Sequence, residues 1–80
     1  MKKYHEDVQN QIDQIVLTLR NERKRKNITQ AELAELIGSA APNISRMESL
    51  NYVPSLATII KVGQVLGYEL QIKKICATKI

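Results

Sequence analysis

Thr29-Gln30-Ala31-Glu32 is the stretch that most restricts what this chain can fold into. A threonine ahead of a helical run, with glutamate three residues on, is a capping box. The threonine side chain accepts from the glutamate backbone N–H, and the glutamate reaches back to the threonine N–H. Ile28 and Leu33 stand on either side of it at the spacing of a hydrophobic staple. Gly38 ends the helix so begun, and Pro42 restricts the residues around it in turn. Proline is tolerated only in the first turn of a helix, where its missing N–H has no partner to lose. The stretch therefore predicts a brief helix with Leu33, Ala34 and Ile37 facing inward, a tight connection at Gly38-Ser39-Ala40, and a further helix starting near Ala40 or Ala41. That helix buries Ile44 and Met47, at i and i+3, and ends around Ser49.

The flanking segments read as helices too. Val8, Ile12, Ile15 and Leu19 recur at i, i+4, i+7 and i+11, one stripe on a helical period that starts near Asp7. It runs into Arg20, Arg23, Lys24, Arg25 and Lys26, cations that suit the negative end of a helix dipole. Asn27 is a fitting stop, since asparagine tolerates the left-handed conformation beyond helix ends. After a loop at Leu50-Asn51-Tyr52-Val53-Pro54, Ser55 caps a last helix. Leu56, Ile59, Gly63 and Leu66 form its inward stripe, Ile60 and Val62 flank it, and Gly67 closes it. Tyr68-Glu69-Leu70-Gln71-Ile72-Lys73 then alternates apolar and polar, a strand signature.

Bulk properties narrow the function. Eighty residues make one small domain, with no Phe or Trp, so its core must be aliphatic. A net charge of +4 favours a polyanionic partner. Cys76 is the sole cysteine, which excludes an internal disulfide and points to a reducing compartment. No apolar run approaches a membrane span, and no apolar stretch comes after the first lysines as in a signal peptide. One histidine (His5) and one cysteine, far apart, make neither a metal site nor a catalytic triad. A non-enzymatic protein without metal or cofactor is expected.

Two short helices joined by a glycine turn inside a four-helix domain form the helix-turn-helix pattern. The steep crossing needs a residue that accepts positive φ, here Gly38, while small Ala34 lets the helices approach and Ile44 fills the angle between them. At these residues the chain resembles the phage repressor/Cro helix-turn-helix family, also called the Xre family. The likeness runs over roughly residues 10–67: Leu19-Arg20, Arg23, Ile28 through Glu35, Gly38, Ile44 through Glu48, Pro54-Ser55-Leu56 and Leu66-Gly67.

The resemblance implies an all-α domain of four to five helices with its third helix in the major groove of double-stranded DNA. It implies base-edge contacts from Ala41, Pro42, Asn43 and Arg46, and backbone contacts from Gln30, Ser49, Asn51 and Tyr52. It also implies an internal ion pair between Arg23 and Glu48. Chemistry fits two of the base-reading positions well. Arginine can donate bidentately to guanine and asparagine can read adenine. Ala41 and Pro42, where the family often has glutamine or serine, offer only apolar contact, for example to a thymine methyl. Leu50 stands where the family usually has glycine, with Asn51 beside it able to adopt the left-handed conformation.

A single helix in one groove falls short of the roughly 10⁻⁸ M affinity of specific sites, so a homodimer on a palindrome is expected. The division is then a flexible N-terminus and helix start at 1–10, the DNA-binding domain at 11–67 with its motif at 30–49, and a strand and tail at 68–80 for dimerisation. Pairing of two tails would satisfy an otherwise open strand edge and bury Tyr68, Leu70 and Ile72. Some antitoxin members of the family carry a similar Leu-Gly-Tyr-Glu-Leu-like ending that leads into an intersubunit strand. The expected function is a sequence-specific transcriptional repressor in a bacterial or phage-infected cytoplasm, at the nucleoid. An antitoxin that also binds a toxin, and an interaction module that no longer binds an operator, are the alternatives.

Overall fold

The computed structural model describes residues 4–75. Four helices succeed one another: α1 (Glu6–Arg25), α2 (Gln30–Leu36), α3 (Ala41–Glu48) and α4 (Leu56–Leu66). The fold is all-α. α2 packs mainly on α3, and α1 mainly on α4.

The capping box at the start of α2 is complete. Glu32 N–H donates to Thr29 Oγ1 at 3.0 Å, and Thr29 N–H donates to Glu32 Oε1 at 2.7 Å. Ser55 caps α4 through the Thr58 N–H at 3.1 Å. α3 begins differently, for Ala40 offers no side-chain cap. His5, exposed ahead of α1, accepts from the Asp7 N–H at 3.3 Å.

Three helices stop in the same way. Beyond α1, α2 and α4 stand Asn27, Gly38 and Gly67, with φ of +57°, +71° and +90°. Each left-handed residue lets two N–H groups reach back to carbonyls that have no helical partner. Asn27 and Ile28 bond to Lys24 O and Arg23 O, Gly38 and Ser39 to Glu35 O and Ala34 O, and Gly67 and Tyr68 to Gln64 O and Gly63 O. After α3 the left-handed residue is Leu50, φ +66°, and not the neighbouring Asn51. Leu50 packs against the core, so its side chain gains burial that an asparagine there would not.

The core is aliphatic: Val16, Leu19, Leu33, Ala34, Ile44, Met47, Val62 and Leu66 are buried. One helix is rotated from its expected face. On α1, Val8 and Ile15 are exposed, and the inner face runs Gln9, Ile12, Val16, Leu19 and Arg23. The spacing of 3, 4, 3 and 4 residues keeps these on one side of a helix. Arg23 must point inward to meet Glu48, and that sets the rotation. On α4, Ile59, Gly63 and Leu66 face inward as expected with Val62 buried beside them, and only Leu56, the first residue of the helix, is exposed.

Residues 68–75 continue past α4 without forming a strand among the described residues. A strand ladder needs a second strand, which the described residues of one chain do not provide. The tail end that includes Cys76 lies outside the described residues. No helix of the described residues is long and apolar enough to cross a membrane.

Candidate nucleic-acid interface

α3 stands with its inner side fixed and its outer side open. Ile44, Met47 and Glu48 are buried, whereas Pro42, Asn43, Ser45, Arg46 and Ser49 are exposed and Ala41 is half-buried. Of the four positions expected to meet bases, Pro42, Asn43 and Arg46 are on the open side of a helix whose other side is anchored in the core, and Ala41 is half-buried at its start.

The anchor is a network around Glu48. Arg23 Nε donates to Glu48 Oε2 at 2.7 Å and Arg23 Nη2 to Oε1 at 2.9 Å, a two-pronged pair with side-chain exposures of 9% and 5%. Arg23 Nη1 also donates to the Ile28 carbonyl at 2.7 Å. The Gln30 side-chain amide donates to Glu48 Oε1 at 3.1 Å, and Arg20 Nη1 to the Glu48 carbonyl at 3.3 Å. One carboxylate thus joins the end of α1, the start of α2 and the end of α3. Charged groups this deep are tolerated because each is paired and hydrogen-bonded. Gln30, expected at a DNA phosphate, spends its amide on this network in the free protein.

The basic run before Asn27 divides between interior and surface. Arg23 is internal, while Arg25 Nε donates to Glu22 at 3.1 Å and Lys26 lies 3.9 Å from the same carboxylate. The hydrogen bond from Arg25 holds the Glu22 carboxyl below its ordinary range, with the charges of Arg25 and Lys26 and the Tyr68 hydroxyl acting the same way. That Tyr68 hydroxyl, 3.5 Å from Glu22, ties the tail to α1.

Arg46 faces a different environment. Its guanidinium carbon lies 5.7 Å from the centroid of the Tyr52 ring. Glu48, the acid nearest in sequence, is engaged by Arg23 and Gln30 instead. Asn43 Nδ2 donates to Ser39 Oγ at 2.9 Å. Ser49 Oγ donates to the Arg46 carbonyl at 2.7 Å and accepts from the Asn51 N–H at 3.3 Å. Ser39, Asn43, Arg46 and Tyr52 line one concavity of about 190 Å³ beside α3, which Ile44, Met47 and Thr58 of α4 also line. Sequence alone places Ser39 in the turn and gives it no further part in the site. Its signal was the Ser-x-x-x-Asn spacing, which brings the two side chains together only if the helix begins just beyond the serine.

A separate apolar groove of about 470 Å³ runs between α1, α4 and the tail. Ile15, Ile59, Ile60, Tyr68 and Leu70 line it. Ile72 stands fully exposed beyond it.

The arrangement of a buried-edge helix presented outward across a short glycine turn defines a helix-turn-helix DNA-binding protein. Residues 19–73 match the Helix-turn-helix family. The chain is 24% identical over 62 residues to the "ImmF control region 10 kDa protein" of Bacillus phage phi105, covering 78% of this chain and 69% of that protein. It is 37% identical over 51 residues to an "Uncharacterized HTH-type transcriptional regulator" of Methanothermobacter thermautotrophicus, covering 64% of this chain and 74% of that one. No solved structure matches it significantly. The chain belongs to the helix-turn-helix family, in its phage repressor/Cro (Xre) type, and is a DNA-binding transcriptional regulator.

Proposed function

We propose that this protein represses transcription by binding a palindromic operator as a homodimer. In this reading α3 enters the major groove with Asn43 and Arg46 reading base edges and Ala41 and Pro42 making apolar contact. Gln30, Ser49 and Asn51 meet the sugar–phosphate backbone, and Tyr52 stands in the loop beside them. The observation that carries the reading is the state of Arg46: exposed, without an acidic partner among the described residues, and set near Asn43 on the open edge of α3. An arginine so placed keeps its in-plane N–H donors for guanine O6 and N7.

The tail supports the dimer. Tyr68, Leu70 and Ile72 are exposed along a segment with no ladder partner among the described residues, and the groove of α1 and α4 continues their apolar surface. Pairing two copies would bring two α3 helices to bear on half-sites about 34–36 Å apart. The same uncovered surface favours a second reading, in which the protein is an antitoxin that also holds a toxin there. The neighbouring gene, and co-purification with its product, separate the two.

Gel shifts on DNA flanking the protein's own gene test the main reading. Affinity should fall by about 0.9 log unit per contacted phosphate for each tenfold rise in salt. A flat salt response, or equal affinity for unrelated duplexes at every salt concentration, overturns operator binding.

A further inference from the structure

Arginine at a protein surface has many rotamers, and any single reading pose must overcome the entropy of giving them up. Arg46 is restrained in two ways that use none of its side-chain donors. The guanidinium carbon lies over the Tyr52 ring, 5.7 Å from its centroid, a cation–π placement that takes up no N–H donor as a hydrogen bond to an acid would. The loop that bears Tyr52 is also tied to the Arg46 main chain, because Ser49 Oγ bonds both the Arg46 carbonyl and the Asn51 N–H. A carboxylate partner would have occupied the same N–H groups that a base needs.

We propose that Tyr52 is a specificity-determining positioning residue, whose ring aims Arg46 at its base pair from the loop after α3. This rests on Arg46 being a base-reading residue, and it differs from a backbone-contacting role for Tyr52. A phosphate contact would run through the phenol hydroxyl, whereas a stacking platform needs only the ring.

The full chain is used to select duplexes from a pool with a randomised central segment. Affinities are then measured for the selected duplex and its single-base variants with the unsubstituted protein, Arg46→Ala, Tyr52→Phe and Tyr52→Leu. Arg46→Ala should erase a preference of about 5- to 150-fold at one position of each half-site. Tyr52→Leu should lower the preference at that same position by about two- to fivefold and leave the other positions as they were. Tyr52→Phe should keep it. The proposal is overturned if Tyr52→Phe and Tyr52→Leu weaken all duplexes alike, which marks a hydroxyl–phosphate contact. It is overturned equally if Tyr52→Leu leaves the Arg46-dependent position unchanged. If Arg46→Ala itself changes no base preference, the base-reading role of Arg46 fails, whatever Tyr52 does.

Discussion

Two charged residues only two positions apart on α3 have opposite duties, and the difference lies in what surrounds them. Glu48 is buried and accepts three side-chain hydrogen bonds from Arg23 and Gln30, while Arg46 is exposed and lies beside a ring instead of an acid. Glu48→Ala leaves Arg23 as an uncompensated buried charge and should cost about 3–5 kcal/mol in urea unfolding. That is a large share of the roughly 5–15 kcal/mol that holds a domain together. Arg46→Ala should move stability by no more than about 0.5 kcal/mol. Its effect should appear as a loss of about 1–3 kcal/mol in specific DNA affinity. A fall in unfolding midpoint for Arg46→Ala with unchanged base preference would reverse the two assignments. At this scale the sequence was legible only where chemistry is local. The likeness to known repressors named Arg23 and Glu48, but hydropathy could not see that an arginine faces inward, so it set Val8 and Ile15 in the core. Leu50 was likewise illegible, since its left-handed backbone is compensated by a burial that no local pattern encodes.

Helix boundaries were the most readable feature, because caps act within a turn of the residues that form them. Thr29, Ser55, Gly38 and Gly67 mark their ends by side-chain chemistry or backbone freedom alone. The rotation of α1 was less readable, as Val8 and Ile15 show. Which of two adjacent apolar stripes turns inward depends on partners distant in sequence. Thr29→Ala should cost about 1 kcal/mol through loss of the α2 cap. Gly38→Ala should cost about 1–2 kcal/mol although open space surrounds a Cβ there, because the left-handed conformation itself is unfavourable for alanine. Chemical denaturation reads both, and a neutral Gly38→Ala would mean that the turn can relax to another geometry. Acid weakens one surface contact at the end of α1. Glu22 is held below its ordinary range by Arg25, so its stabilising pairing is present at neutral pH and is lost as pH falls through that lowered value. Glu22→Gln should flatten this part of the acid unfolding curve, most visibly at low salt.

Taken as a whole, the molecule has one finished side and one open side. The side that carries α3 is braced through Glu48, and the side with the tail and groove exposes Ile15, Ile60, Tyr68, Leu70 and Ile72. In the proposed dimer, Leu70→Glu with Ile72→Glu in the full chain should give monomers by sedimentation velocity at concentrations where the unsubstituted protein is paired. Helical content by circular dichroism should stay unchanged, since neither residue belongs to the core. A doubly substituted chain that still pairs would move the interface elsewhere. When two molecules must meet before either can hold its half-site firmly, occupancy scales as the square of protein abundance at low levels. Halving the supply, by dilution at cell division or by slower synthesis, then empties the site about fourfold, and the switch acquires a threshold from the scarcity of its own parts.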